Sequence, residues 1–71
     1  MIRVRYATIM RPPQPGAFPR NGVVEVKCID GVAPSGHHAW GWVDYNRYLT
    51  ESEIKDYELE YVSSYECTDE A

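Results

Sequence analysis

The sequence predicts a small α+β domain, with an antiparallel sheet of three to four strands and one short helix packed on one face. Three observations indicate this fold. Several segments alternate apolar and polar residues with the period of two that a half-buried strand requires. A threonine and a glutamate at capping-box spacing mark a helix start, and turns rich in glycine and proline separate the segments. An SH3-like small β-barrel with a long binding loop is the alternative architecture.

A chain of 71 residues allows one domain. A domain of this size buries only about 60% of the surface of its unfolded chain, so its core is small. The composition, 44% hydrophobic and 13% aromatic, is still that of a folded protein. We predict that the domain spans residues 1–62 and that the polar, acidic residues 63–71 form a flexible tail.

The first strand is predicted over Ile2–Met10. Val4 and Tyr6 fall on one face of this segment, and Arg3 and Arg5 fall on the other. Strand side chains alternate between the two faces of a sheet, so this pattern is typical of a sheet with one apolar face and one wet face.

A proline-rich segment, residues 11–22, follows this strand. It holds four of the five prolines, which leave too few backbone donors for a helix or a ladder and favour a stiff, exposed loop. The loop is either a plain connection or a recognition segment. In the second interpretation Phe18 is an apolar anchor with Arg11 and Arg20 at its rim, and Phe18 or a neighbouring proline contacts a tryptophan of the third strand.

Two further strands are predicted after the loop. The turn dipeptide at residues 21–22 opens the second strand, Val23–Ile29, in which Val24 and Val26 alternate with charged residues. The third strand is His38–Tyr45, because aromatic and β-branched residues suit a pleated surface. Alternation places Trp40 and Trp42 on the same face of this third strand.

The helix is predicted to begin at Glu51, with Thr50 and Glu53 as the capping box. Its end is ambiguous, because the pattern fits either one helix to about Ser63 or two helical turns followed by a strand over residues 57–62. Leu59 favours the short helix, since a long helix would point this side chain at solvent.

Both architectures predict nearly the same core, and a small core leaves some of the nine aromatic side chains exposed. Exposed aromatics are common anchors of protein interfaces. The predicted core comprises Val4, Tyr6, Val24, Val26, one tryptophan, Val43, Ile54 and Leu59. The predicted binding residues are Arg11, Phe18, Arg20, Trp40, Trp42, Tyr45 and Tyr48.

Two segments carry a resemblance, Y-A-T-I-M-R-P-P-Q-P-G-A-F-P and W-G-W-V-D-Y-N-R-Y-L-T-E-S-E-I-K-D-Y-E-L. They resemble short uncharacterised bacterial proteins that are often encoded near conjugative or other mobile elements. The resemblance covers most of residues 6–59. Such proteins have no assigned activity, so the resemblance implies a bacterial cytoplasmic setting and transfers no site.

No arrangement of residues predicts an enzyme, a metal site or a cofactor. His37 and His38 are adjacent and point to opposite sides of an extended chain, so they do not chelate one ion readily. Cys28 and Cys67 are expected to be reduced thiols, and a core-facing Cys28 is a poor nucleophile. A phosphate-binding glycine loop is missing from the sequence.

The net charge of −4 is unevenly distributed, because the chain is basic up to Lys27 and acidic afterwards. Either the basic residues of the first strand pair across the sheet with glutamates of the last strand, or the two halves form separate basic and acidic surfaces for partners. We predict a soluble, cytoplasmic protein-interaction module without a membrane span. Single-strand binding by the arginine-rich half is disfavoured by the overall acidity. A second alternative is an acidic mimic of DNA, which would use Glu51, Glu53, Asp56, Glu58 and Glu60.

Overall fold

The computed structural model describes residues 2–14 and 16–66. Within those residues the chain forms four strands and one helix. In chain order they are β1 Ile2–Thr8, β2 Val23–Val32, β3 His38–Tyr45, α1 Glu51–Tyr57 and β4 Leu59–Glu66.

The four strands form one antiparallel sheet in the order β2-β3-β1-β4. The first and third strands are therefore central, and β2 and β4 are the two edges. Tyr6 on β1 pairs with Val43 on β3, and Val4 pairs with Tyr45. The predicted α+β class is confirmed, whereas the alternative barrel is wrong because the sheet stays open.

The helix begins at Glu51 as predicted. Thr50 accepts a hydrogen bond from the backbone N–H of Glu53, and the Glu53 carboxylate accepts one from the N–H of Thr50. Glu58 ends the helix in the left-handed conformation, with φ 53°. This residue reverses the backbone, so the short helix followed by a strand is the correct alternative and Leu59 is buried on β4.

The predicted bounds of three strands are wrong, while those of β3 are confirmed. The first strand ends at Thr8 rather than Met10. The second continues past Ile29 to Val32, because a register shift lets its last residues pair with the start of β3. The fourth is Leu59–Glu66 rather than 57–62, so residues 63–66 of the predicted tail are strand. The rest of that predicted tail, residues 67–71 with Cys67, lies outside the described residues.

The main core lies on one face of the sheet. Val4, Tyr6 and Val43 come from the two central strands and are at most 1% exposed. Ile54 on the helix packs against this cluster and is partly buried. The buried members of the main core are Val4, Tyr6, Ala17, Phe18, Val43, Tyr45, Leu49 and Leu59.

Two predicted core valines are not buried. Val24 and Val26 are each 40% exposed, because they lie on the edge strand β2 and have a strand neighbour on one side alone. Cys28 is also exposed, against the expectation that it faces the core. Of the tryptophans, Trp42 is partly buried against a second, alanine-rich cluster, and Trp40 is 41% exposed.

The proline-rich segment closes the main core instead of standing away from it. Phe18 is 8% exposed, and the carbonyl of Pro19 accepts a hydrogen bond of 2.5 Å from the Tyr45 hydroxyl. Pro13 packs on Gly41, where a Cβ atom would overlap the proline ring. The prediction of an exposed loop is therefore wrong for these residues, because their apolar side chains cover a sheet face that the short helix cannot cover alone.

Candidate functional site

Two exposed tyrosines form a stacked pair on the surface. Tyr48 is 55% exposed and Tyr61 is 45% exposed, and their ring centroids lie 6.5 Å apart with an angle of 25° between the planes. Each hydroxyl oxygen lies 2.9 Å from Oγ of Ser64. We call Tyr48, Tyr61 and Ser64 the tyrosine patch.

The tyrosine patch is positioned by the buried Tyr6. Tyr61 is its partner on β4, and the two rings meet edge to face with centroids 5.9 Å apart. The Tyr6 hydroxyl also accepts a 3.0 Å hydrogen bond from the backbone N–H of Leu49, next to Tyr48. Burial raises the pKa of Tyr6 and keeps its hydroxyl neutral. One core side chain thus orders both halves of the patch.

Such a pair suits protein recognition. A tyrosine offers a large apolar ring with a polar end and loses few rotatable bonds on binding. In the tyrosine patch both rings are already held by each other and by Ser64. The cost of ordering them when a partner arrives is therefore reduced.

On the opposite face of the sheet, a buried carboxylate binds two arginines. Asp44 is 2% exposed and accepts hydrogen bonds from Arg5 at 2.9 and 3.1 Å and from Arg3 at 3.1 Å. Burial alone would raise the pKa of Asp44, but the hydrogen bonds and charges of Arg5 and Arg3 outweigh it and lower that pKa. Arg3 also pairs with Glu25 on β2. Arg3 and Arg5 of β1 thus pair across the sheet with carboxylates on β2 and β3.

The seven predicted binding residues do not form one surface. Phe18 and Tyr45 lie in the main core, so the prediction that they are exposed anchors is wrong. Arg11 pairs with Glu58 at the end of the helix. Arg20 is exposed and lines an open depression of about 290 Å³ beside β2.

The remaining predicted residues are aromatic. Trp40 contacts His38 edge to face with centroids 4.7 Å apart, and Trp42 lies under the guanidinium of Arg5. The proline-rich segment contacts β3 at Gly41 and at Tyr45. Tyr48 lies in the tyrosine patch. Its partners Tyr61 and Ser64 were missed, because their place beside it depends on β4 pairing with β1, and no local pattern signals that pairing.

The acidic residues near the helix are largely engaged. Glu53 accepts two hydrogen bonds from Arg47, at 2.9 and 3.0 Å, and Glu58 pairs with Arg11. Glu60 accepts hydrogen bonds from the backbone and side chain of Ser35. Three of the five carboxylates of the predicted DNA mimic therefore bind groups of the chain itself.

Ser35, His37 and Glu60 form a hydrogen-bonded group that differs from a hydrolytic triad. Ser35 Oγ lies 2.7 Å from Nδ1 of His37 and 2.5 Å from Oε1 of Glu60. In a triad the carboxylate holds the second nitrogen of the histidine, whereas here it binds the serine. The group ties the turn before β3 to β4.

Residues 2–14 and 16–66 contain neither a cluster of metal-binding side chains nor a helix suited to span a membrane. No three histidine, cysteine or carboxylate side chains there lie close enough to hold a metal ion. Within the same residues, none of the helical structure has the length and apolar character of a membrane span.

The chain matches a known protein family. None of the curated proteins matches the chain, and none of the solved structures does. A family model described as "Defence against restriction A C-terminal" matches residues 3–64, which include all five described strands and helices except their outermost residues. The matched range contains residues 6–59, over which the sequence resembles short bacterial proteins. Since the family model matches far more than half of the chain, the protein belongs to the Defence against restriction A C-terminal family.

Proposed function

We propose that this chain is a non-catalytic protein-interaction domain that serves defence against restriction, and that the tyrosine patch is its anchor. The observation that carries the proposal is the stacked, exposed pair of Tyr48 and Tyr61, held from below by Tyr6. The family description supports the proposed role in defence against restriction. A bacterial, cytoplasmic setting near mobile elements is part of the same proposal.

The charge layout supports a protein partner over a nucleic acid. Phosphate binding requires arginines that are available to exchange counterions. Arg3 and Arg5 share Asp44, and Arg11 pairs with Glu58. Phe18, the aromatic side chain of the proline-rich segment, is buried and therefore does not offer its ring to a base.

The first experiment traps the partner at the tyrosine patch. A photo-crosslinking amino acid replaces Tyr48 in the full chain, which is expressed in its native cell and irradiated. The matched control carries the same amino acid at Tyr65, which is 49% exposed on β4 but lies outside the patch. We expect one specific adduct from position 48 and not from position 65.

The second experiment measures affinity for the trapped partner. Tyr48→Ala and Tyr61→Ala should each weaken binding about 30-fold, since truncating a hot-spot tyrosine costs about 2 kcal/mol or more. Tyr65→Ala should bind as the wild type does. Equal affinity of all three variants, with unchanged circular dichroism, would contradict the proposed anchor.

A further inference from the structure

The edge strand β2 has one free side. Its inner side pairs with β3, and in the described residues no other strand pairs with its outer side. Val24 and Val26 are each 40% exposed, and Cys28 is exposed on the same strand. A free row of backbone N–H and C=O groups with apolar side chains beside it is a template for another strand.

The charges of β2 specify which strand fits. Glu25 and Lys27 flank Val26 and lie on the other face of the strand from it. When two copies of β2 pair antiparallel with Val26 opposite Val26, each Glu25 faces a Lys27 of the other copy. A pairing centred on Glu25 or on Lys27 instead puts two like charges opposite each other, which is destabilising.

We propose that β2 pairs with β2 of a second copy of this chain, antiparallel, with the two-fold axis at Val26. The resulting contact is isologous, so every interaction occurs twice. Lys27 of the second copy then joins the pair that Glu25 makes with Arg3, since the Glu25 side chain is 56% exposed in the single chain. The surface is separate from the tyrosine patch, so each proposal can fail without the other.

The ladder between the copies is short. Register shifts between Val23 and Glu25 and between Cys28 and Gly31 leave residues 25–28 as the regular part of β2. Bulges of this kind limit how far an edge can pair. The contact is therefore smaller than the roughly 1,600 Å² of a standard interface, and we expect a weak dimer that forms as concentration rises.

A charge exchange tests the register in the full chain. Sedimentation equilibrium should show concentration-dependent dimerisation of the wild type. Lys27→Glu should lower the association constant at least tenfold. In this variant each Glu25 faces a glutamate at position 27 of the other copy, and this repulsion occurs twice because the contact is two-fold symmetric. Adding Glu25→Lys to that variant restores opposite charges across the axis and should recover association. The matched control is Lys55→Glu, an exposed change of the same sign on α1.

A cysteine at the two-fold axis tests the contact without depending on charge. In a Cys28→Ser, Cys67→Ser background, Val26→Cys should form a covalent dimer under mild oxidation, because the two Cβ atoms are neighbours across the ladder. The control is Val32→Cys in the same background, which is 65% exposed but lies away from the axis. A monomer at every soluble concentration would overturn the proposal, as would equal cross-linking of the two variants or a dimer unaffected by Lys27→Glu.

Discussion

Arg5 on β1 donates two hydrogen bonds to Asp44 on β3, from Nε at 2.9 Å and from Nη2 at 3.1 Å. The two residues are direct cross-strand partners in the sheet. Asp44 is 2% exposed, so its carboxylate is shielded from water, while the Arg5 side chain is 37% exposed. A register slip of one residue would move the carboxylate to the opposite face, and the pair therefore helps to fix how the two central strands align.

Asp44→Asn should destabilise the domain. The amide loses the negative charge that Arg3 and Arg5 share, and its NH₂ group cannot accept from either guanidinium. Hydrogen bonds to charged groups contribute about 1.5–3 kcal/mol, so we expect a loss of roughly 2 kcal/mol in the free energy of unfolding. Urea denaturation measures it. Asp56→Asn, on the exposed helix surface, is the matched control and should leave the midpoint unchanged.

Acid should weaken the fold through Asp44 and Glu53. The hydrogen bonds from Arg47 and from Thr50 lower the pKa of Glu53 from 4.5 to about 2, and the pKa of Asp44 is also lowered. A carboxyl with a lowered pKa in the folded state stabilises above its unfolded pKa, and this contribution is lost as pH falls through the folded value. The urea midpoint should therefore drop between pH 4.5 and about 2.

Glu53→Gln separates this effect from general acid denaturation. The variant should be less stable than the wild type at neutral pH, and the difference should shrink as pH approaches the pKa of about 2. A pH-independent difference between the two proteins would show that Glu53 acts through its shape rather than its charge.

Thr50→Ala should lower the free energy of unfolding by about 1 kcal/mol, the usual cost of losing an N-cap. The substitution removes the oxygen that accepts from the N–H of Glu53 at 3.1 Å. Thr50→Ser keeps that oxygen and serves as the control, with near wild-type stability. Equal midpoints for the alanine and serine variants would mean that the cap contributes little in this protein.

Gly41→Ala should destabilise by about 1–3 kcal/mol, as overpacking of a filled site does. The new methyl group would overlap Pro13 and lie 2.6 Å from the carbonyl oxygen of Lys27. Adding Pro13→Ala should recover only part of the loss, because the backbone contact remains. Gly31→Ala is the control on β2, where the nearest atom is a side-chain carbon of Ile29 at 3.4 Å. Thermal melts of the four proteins provide the comparison.

Features encoded within a few residues could be predicted from the sequence. The bounds of β3 and the start of α1 at Glu51 are as expected. The capping box depends on two side chains three residues apart, and strand alternation depends on immediate neighbours. The argument from Leu59 correctly favoured a strand over a long helix. A long helix would have pointed this leucine at solvent, whereas on β4 it is buried.

Predictions of burial that depended on residues distant in the sequence were less accurate. Val4 and Val26 show the same alternating pattern, yet Val4 is buried and Val26 is 40% exposed. The difference is strand order, since β1 has a neighbour on both sides and β2 on one. Phe18 belongs to the core for a related reason, because the short helix leaves part of the sheet for the loop to cover.

By itself, the sequence determined the α+β class, the third strand and the capped helix, because those depend on dihedral preferences and on contacts along the chain. Tertiary structure alone decided the edges of the sheet and the exposed aromatics. Tyr48 and Tyr61 are neighbours because β4 pairs with one side of β1. Asp44 is the partner of Arg5 because β3 pairs with the other side of β1. These pairings join residues more than ten positions apart, so packing, rather than local sequence, selects them.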